Sequence, residues 1–265
     1  MPLAVCATPI GNLDDITLRV LEELRSADVV LCEDTRHTRG LLQRHGIRAR
    51  LLSYHEHNEA KRTAELLPRL AAGERIALVS DAGMPGISDP GGRLVAVARE
   101  AAVDVTVLPG PSAVETAVVA SGLAVDAYEF VGFLPRGRAA LEALVTAPRT
   151  SALVAFESPQ RLPATLRVVA DAHPDRRVAV CRELTKVHEE VVHGPAAEVA
   201  ARFGASPRGE ITLVIDARVD ERADVDAAVD AVRQLVHEGV GRRRAADIVA
   251  RLTGASRNDL YRRTL

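Results

Sequence analysis

Fourteen residues, 79–92, read V-S-D-A-G-M-P-G-I-S-D-P-G-G. Four glycines (Gly83, Gly86, Gly91, Gly92) and two prolines (Pro85, Pro90) forbid regular structure there, and the glycines let a ligand approach the main chain closely. Asp81 and Asp89 place two carboxylates in the same stretch. The apolar run before it predicts a buried strand over 76–79, and the Ala- and Val-rich run after it predicts a helix over 94–102. Strand, glycine-rich loop, helix is how an open α/β sheet builds a crevice at the carboxyl ends of its strands. An ordinary βα connection has only a few residues. This stretch is therefore read as a ligand loop.

Other polar clusters have chemistry to offer. Glu33, Asp34 and Arg36 combine two acids with a guanidinium, either as a substrate contact or as a surface charge cluster. Arg182, Glu183 and Lys186 carry the same two readings. In P-G-P-S-A at 109–113, Ser112 is placed to cap a helix, which as a bare pattern is structural. His55, His57 and Glu59 have metal-ligating donors, but no further ligand stands at diagnostic spacing, so no metal is assigned. Neither a G-x-G-x-x-G after a strand nor a G-x-x-x-x-G-K-[ST] run occurs, which weakens dinucleotide and P-loop readings.

Regular elements must hold these clusters. Strands are predicted over 3–7, 29–32, 50–53, 76–79 and 103–108, alternating with helices over 16–26 (capped by Asp14 or Asp15), 40–45, up to 72, 94–102 and up to 121. That alternation predicts a parallel sheet covered on both faces. After Gly122 the pattern changes. Strands over 129–134, 152–156, 177–181 and 211–215, an alternating segment over 187–193, a turn over 135–138 and helices over 139–146 and 162–172 predict a second α/β unit with a mixed sheet. Polar residues cluster after Ala7, Cys32, Ser53, Val79, Leu108, Phe156 and Cys181, at the ends rather than the starts of strands, so one crevice is expected. A charged linker over 219–224 leads to three helices over 225–237, 242–252 and 258–263. The middle one spaces Ala245, Ile248, Val249 and Leu252 as one apolar stripe. Arg242, Arg243, Arg244 and Arg251 then point elsewhere, and with Arg257, Arg262 and Arg263 they form a phosphate-binding patch. Domains are expected over 1–112, 113–218 and 222–265.

The 265 residues carry a formal charge of −2 and are 47% hydrophobic, as expected of a globular protein with a substantial core. No apolar run reaches the length of a membrane span, and the first residues enter a strand pattern without a basic leader. Cys6, Cys32 and Cys181, each in or at the end of an apolar run, are read as buried thiols of a cytoplasmic protein rather than disulfide or zinc partners. The absence of Trp and an aromatic content of 3% limit any mechanism that stacks bases on rings.

Nine motifs in order carry a resemblance: T-P-I-G-N-L at 8–13, E-D-T-R-H-T at 33–38, Y-H-E-H-N-E at 54–59, S-D-A-G at 80–83 running to P-G at 90–91, P-G-P-S-A at 109–113, G-F-L-P at 132–135, E-S-P at 157–159, R-E-L-T-K at 182–186 and R-G-E at 208–210. Over essentially its whole length the chain resembles the ribosomal RNA small subunit methyltransferase I family of the tetrapyrrole methylase superfamily. The resemblance implies a homodimer whose two α/β domains hold S-adenosylmethionine between them, plus a C-terminal helical domain that the tetrapyrrole enzymes lack. It implies methylation of the ribose 2′-hydroxyl of a decoding-centre cytidine in 16S rRNA, within the 30S subunit. It places the methyl donor against Asp81, Ala82, Gly83, Met84, Ser112, Ala113, Phe156, Leu184 and Gly209. Met84 stands where the family has threonine and Arg208 where it has lysine, so a side-chain hydroxyl is lost at 84. Sulfonium methyl transfer needs neither a metal nor a covalent enzyme intermediate. Asp34, Glu157 and Glu183 are candidate general bases, with Glu33 beside them, and Arg36, Arg182 and Lys186 candidate phosphate contacts. A small-molecule methyltransferase of the same fold and a non-catalytic RNA-binding protein are the competing readings. The first gives no reason for the basic helices, the second none for the glycine-rich cleft.

Overall fold

The structure is a computed structural model that describes residues 2–265 apart from 124, 126, 218–220 and 254; side chains of 221–224 are also not described. Its first half is a five-stranded sheet built from β1 (Leu3–Cys6), β2 (Val29–Cys32), β3 (Leu51–Ser53), β4 (Ile76–Leu78) and β5 (Val105–Leu108), in the order β3-β2-β4-β1-β5. All its pairings are parallel. The central strands are apolar at consecutive positions because both faces are covered. Ala4, Cys6, Val30, Cys32 and Ala77 pack on one side, and Leu3, Val5, Val29, Leu31, Ile76 and Leu78 on the other.

The flanking helices are α1 (Leu18–Ser26), α2 (Thr35–Arg44), α3 (Glu59–Ala71), α4 (Gly92–Glu100) and α5 (Ala113–Ala120). Three of them start where the sequence did not place them, α4 by two residues, at Gly92 rather than 94. Thr17, not Asp14 or Asp15, caps α1 by accepting from the Val20 N–H at 3.2 Å, and Asn12 caps a separate 3-10 turn, Leu13–Asp15. α2 begins at Thr35 rather than Gly40, because Asp34 accepts from the Arg36 N–H at 2.8 Å and satisfies the first turn.

The second half is a mixed sheet of β6 (Tyr128–Phe133), β7 (Ala152–Glu157), β8 (Arg177–Arg182), β9 (Glu190–Pro195) and β10 (Ile211–Ile215), in the order β6-β7-β10-β8-β9. Only β6 and β7 pair in parallel. One face is packed by α6 (Arg138–Thr146), α7 (Leu162–Ala172) and α8 (Ala196–Arg202), and the other by Val114 and Ala117 of α5 together with Ile10. The sequence did not foresee α8. The alternating strand expected from 187 starts only at Glu190. Residues 183–189 form a loop instead, with Glu183 at φ +52° and Thr185 at φ +65°, closed by the Thr185 N–H on the Glu189 carboxylate at 2.6 Å.

Of the linker expected over 219–224, Val219 and Asp220 lie outside the described residues, and the rest opens α9 (Glu221–His237). With α10 (Arg242–Thr253) and α11 (Arg257–Arg263) it encloses a core of its own around Val229, Val232, Ala245, Ala246, Val249 and Leu260. The expected stripe on α10 is corrected by this packing. Ala246 takes the inner position, because two adjacent alanines let α9 and α11 approach, while Ile248 is 37% and Leu252 81% exposed.

Candidate functional site

The glycine-rich loop after β4 is clamped at both ends. Near its start, Thr8 and Gly83 exchange two backbone hydrogen bonds, at 2.9 and 3.0 Å, and the Thr8 hydroxyl donates to the Ser80 carbonyl at 3.0 Å. At its far end the Gly91 N–H donates to the Glu59 carboxylate at 3.0 Å, which also accepts from the buried Tyr54 hydroxyl at 3.2 Å. A Cβ on Gly91 would stand 2.8 Å from Leu78 Cδ2, so the residue type is set by close packing on the sheet. The β1 loop reaches across to the second half of the chain. Gly11 lies against Thr185 and Lys186, where a Cβ would come within 2.6 Å of Thr185 Oγ1, and the Asn12 N–H donates to that hydroxyl at 3.0 Å.

Between these loops and the second sheet opens a cleft of about 380 Å³, within the range of small-molecule sites. Eight of the nine residues expected at the methyl donor line it: Ala82, Gly83, Met84, Ser112, Ala113, Phe156, Leu184 and Gly209. Asp81 stands behind the wall, its carboxylate accepting from the Asp34 N–H at 3.1 Å. Gly83, at φ +76°, is buried in the cleft wall, Met84 packs back onto the first core, and Phe156 meets Phe130 and Phe133 edge-on at 5.0 and 5.6 Å. Ser112 precedes α5 but does not cap its backbone; its hydroxyl donates to Glu115, which also accepts from Tyr128 at 2.9 Å. The cleft thus has an apolar lining, a buried glycine turn in one wall and the start of a helix, with room for a small-molecule ligand.

The acids divide by partner. Asp34 grips Arg36, with Nη2 2.7 Å from Oδ2, and that contact holds its carboxyl well below the usual range. Glu157 lines the cleft but is fully buried; it accepts from the Ser158 N–H at 2.7 Å, Arg161 at 3.0 Å and Thr165 at 2.6 Å. Glu183 accepts from Lys186 at 2.8 Å and from the Glu210 N–H at 2.9 Å, and the Lys186 contact lowers its pKa. Asp89 was legible only as a carboxylate in the loop. It lines the cleft, and burial, joined by the charges of Glu33 and Asp81 against a lowering contact from Ser80, lifts its pKa to about 6. Cys181 also lines the cleft. Its thiol donates to the Ala117 carbonyl at 3.7 Å, and burial pushes it up to about 12.

Most of the expected RNA contacts already have partners within the chain. Arg182 reaches Glu190 at 3.0 Å and the Arg208 carbonyl at 3.1 Å, and Lys186 bridges Glu183 and Glu210 at 2.8 Å each. On α10, Arg243 and Arg244 are exposed, Arg242 is half-buried, and Arg251 pairs with Asp247 at 2.9 Å. His55 is tied to Asn58 at 3.1 Å, and among the described residues no three His, Cys, Asp or Glu side chains converge as a metal site. No helix among them is long and apolar enough to cross a membrane.

A family model for tetrapyrrole (corrin/porphyrin) methylases matches residues 2–200, and one described as the RsmI C-terminal HTH domain matches residues 223–265. The ribosomal RNA small subunit methyltransferase I of Mesorhizobium japonicum is 44% identical over 99% of this chain and 91% of its own. That of Micromonospora olivasterospora is 45% identical over 98% and 85%. Among solved structures, a uroporphyrin-III C-methyltransferase from Thermus thermophilus complexed with S-adenosylhomocysteine shares the fold, with a TM-score of 0.56 at 18% identity over 81% of this chain and 96% of that one. The chain belongs to the tetrapyrrole methylase family, in its ribosomal RNA small subunit methyltransferase I group.

Proposed function

We propose that this protein, acting as a homodimer in the cytoplasm, transfers a methyl group from S-adenosylmethionine to the ribose 2′-hydroxyl of a decoding-centre cytidine in the 16S rRNA of the 30S subunit. One observation carries the reading: an apolar, glycine-walled cleft and an independently cored basic helical unit occur in one chain whose relatives are named for small-subunit rRNA. The donor brings an electrophilic methyl on a sulfonium. What remains for the chain is placement, worth about 7–11 kcal/mol when the geometry is right.

Residues of this chain divide that work. The start of α5 offers main-chain contacts, Gly83 leaves the wall free of a side chain, and Met84, Phe156 and Leu184 keep water from the apolar part of the ligand. Asp89 is the best-placed proton acceptor for the ribose hydroxyl. It faces the cleft without a cationic partner among the described residues, and it titrates where a base can both hold and release a proton. Asp34, Glu157 and Glu183 each face a cation and serve on this reading to position Arg36, Arg161 and Lys186. Those cations and the arginines of α10 steer the RNA.

Incubation with undermethylated 30S subunits and labelled S-adenosylmethionine, followed by mass spectrometry of 16S fragments, is the test. A ribose methyl on one decoding-centre cytidine is expected. Label entering a tetrapyrrole in a parallel incubation supplied with one, while the RNA stays unlabelled, would transfer the reading to small-molecule chemistry.

A further inference from the structure

The sequence marks residues 135–138, P-R-G-R, as a turn and nothing more. In the fold that turn overhangs a second concavity, of about 230 Å³, between α6 and α7. Four arginines line it: Arg136 and Arg138 from the turn and the start of α6, Arg161 just before α7, and Arg167 two turns along. Arg161, Ala164, Arg167 and Asp171 recur at helical spacing on one face, and the small Ala164 leaves the hollow between the longer side chains.

The charge there is not balanced from within. Asp171 is the one acid of the lining and stands 3.9 Å from Arg138, with both side chains more than two-thirds exposed. Arg161 is committed to Glu157 and to the carbonyls of Leu134 and Pro135, at 2.7 to 3.0 Å. Arg136 and Arg167 are exposed, and among the described residues neither has an ion-pair or hydrogen-bond partner. Counting Glu157 and Asp171 against four guanidinia leaves a concave site with a net charge of +2. Guanidinium forks match phosphate oxygens in shape and charge.

Its position relative to the cleft suggests which phosphate. β6 ends at Phe133 on the cleft rim, three residues before Arg136; β7 ends at Glu157 in the cleft wall, four residues before Arg161. We infer that this arginine-lined hollow is a subsite for the sugar-phosphate backbone of the substrate RNA, holding phosphates that flank the nucleotide whose ribose enters the cleft. The inference rests on the rRNA reading above.

The test is binding of the full chain to a 16S decoding-region RNA across a salt series, for the native protein, R136A/R167A and R136K/R167K. Affinity for S-adenosylhomocysteine and melting temperature are expected to stay native in both variants, since neither arginine touches the donor cleft. The alanine pair should bind the RNA at least tenfold more weakly, with a salt slope shallower by about 1.4–1.8, the share of two phosphate contacts. The lysine pair should keep the slope and recover part of the affinity. Native affinity and slope in R136A/R167A, with the native protein binding the RNA, would overturn the subsite and leave the rRNA reading standing. A native protein that binds neither this RNA nor 30S subunits removes both. Arginine-dependent binding of inorganic phosphate or ADP by calorimetry, with RNA affinity unchanged, would make the hollow a small-anion site and likewise overturn the inference.

Discussion

Glu183 lies across Gly209: a Cβ on that glycine would stand 2.5 Å from Glu183 Cδ and 2.6 Å from Oε1. Gly209 is at φ +97°, which glycine adopts freely, whereas Glu183 at φ +52° carries backbone strain. Gly209→Ala is expected to expel the carboxylate from the Glu210 N–H and from Lys186, at a cost of about 1–3 kcal/mol in strain alone. Because Leu184 and Gly209 both line the cleft, affinity for S-adenosylhomocysteine should fall with the melting temperature. Calorimetry showing native affinity in a destabilised variant would separate this contact from the donor site.

Asp89 gives a pH signature with a definite sign. Its folded pKa of about 6 lies above the ordinary carboxylate value, so the folded protein binds this proton more tightly than the unfolded chain does. Its contribution to stability is therefore present at low pH and lost as pH rises through about 6. Asp89→Asn removes that loss, so the melting temperature of the variant should gain on the native protein across that window. Turnover of the native protein should climb through the same window. The variant should be slower by about 10²–10⁴-fold, the scale of a lost general base, with donor affinity retained. A native pH profile for turnover by the Asp89→Asn variant would remove Asp89 from the reaction.

Gly83 separates strain from obstruction. At φ +76°, its Cβ position is open, with Ile10 Cγ2 at 3.7 Å and the Pro111 carbonyl at 3.9 Å. Gly83→Ala should lose about 1–3 kcal/mol of stability from backbone strain and keep most of its donor affinity. Gly83→Val adds branched bulk at the cleft wall and should abolish donor binding. Native affinity in the valine variant would mean that the ligand does not approach this backbone.

Strands were legible because burial on both faces leaves an unbroken apolar run, as at Leu3–Cys6, Val29–Cys32 and Ile76–Leu78. Helix starts were less so. Asp14, Asp15, Thr17 and Asp34 are all competent caps, and the choice among them follows from how the chain leaves each strand. The 183–189 loop was illegible since Glu183 and Thr185 adopt positive φ where they pack against Gly209 and Gly11, partners far off in sequence. Eight of nine residues tied to the donor by resemblance share one cleft, yet the raised pKa of Asp89 depends on Glu33 from another strand end, which no local pattern encodes.

The C-terminal helices have their own core, so they are expected to come away without unfolding the rest. Removing residues 221–265 should leave S-adenosylhomocysteine affinity near native, weaken binding to 30S subunits and flatten its salt dependence by about 0.7–0.9 per lost phosphate contact. Sedimentation with 30S subunits over a salt series measures this. A truncated protein with the native slope would reassign these helices to dimer packing or stability.

On the proposed reading, Cys181 bears on how the protein survives its own reagent. A sulfonium methyl is a soft electrophile, and a thiolate is the side chain best matched to it. Cys181 lines the same cleft, but with its pKa near 12 it is held as a thiol, its lone pairs muted by the bound proton. On that reading protonation guards the thiol against alkylation, so a soft nucleophile is tolerated at the wall while the methyl passes to the harder oxygen of an incoming hydroxyl.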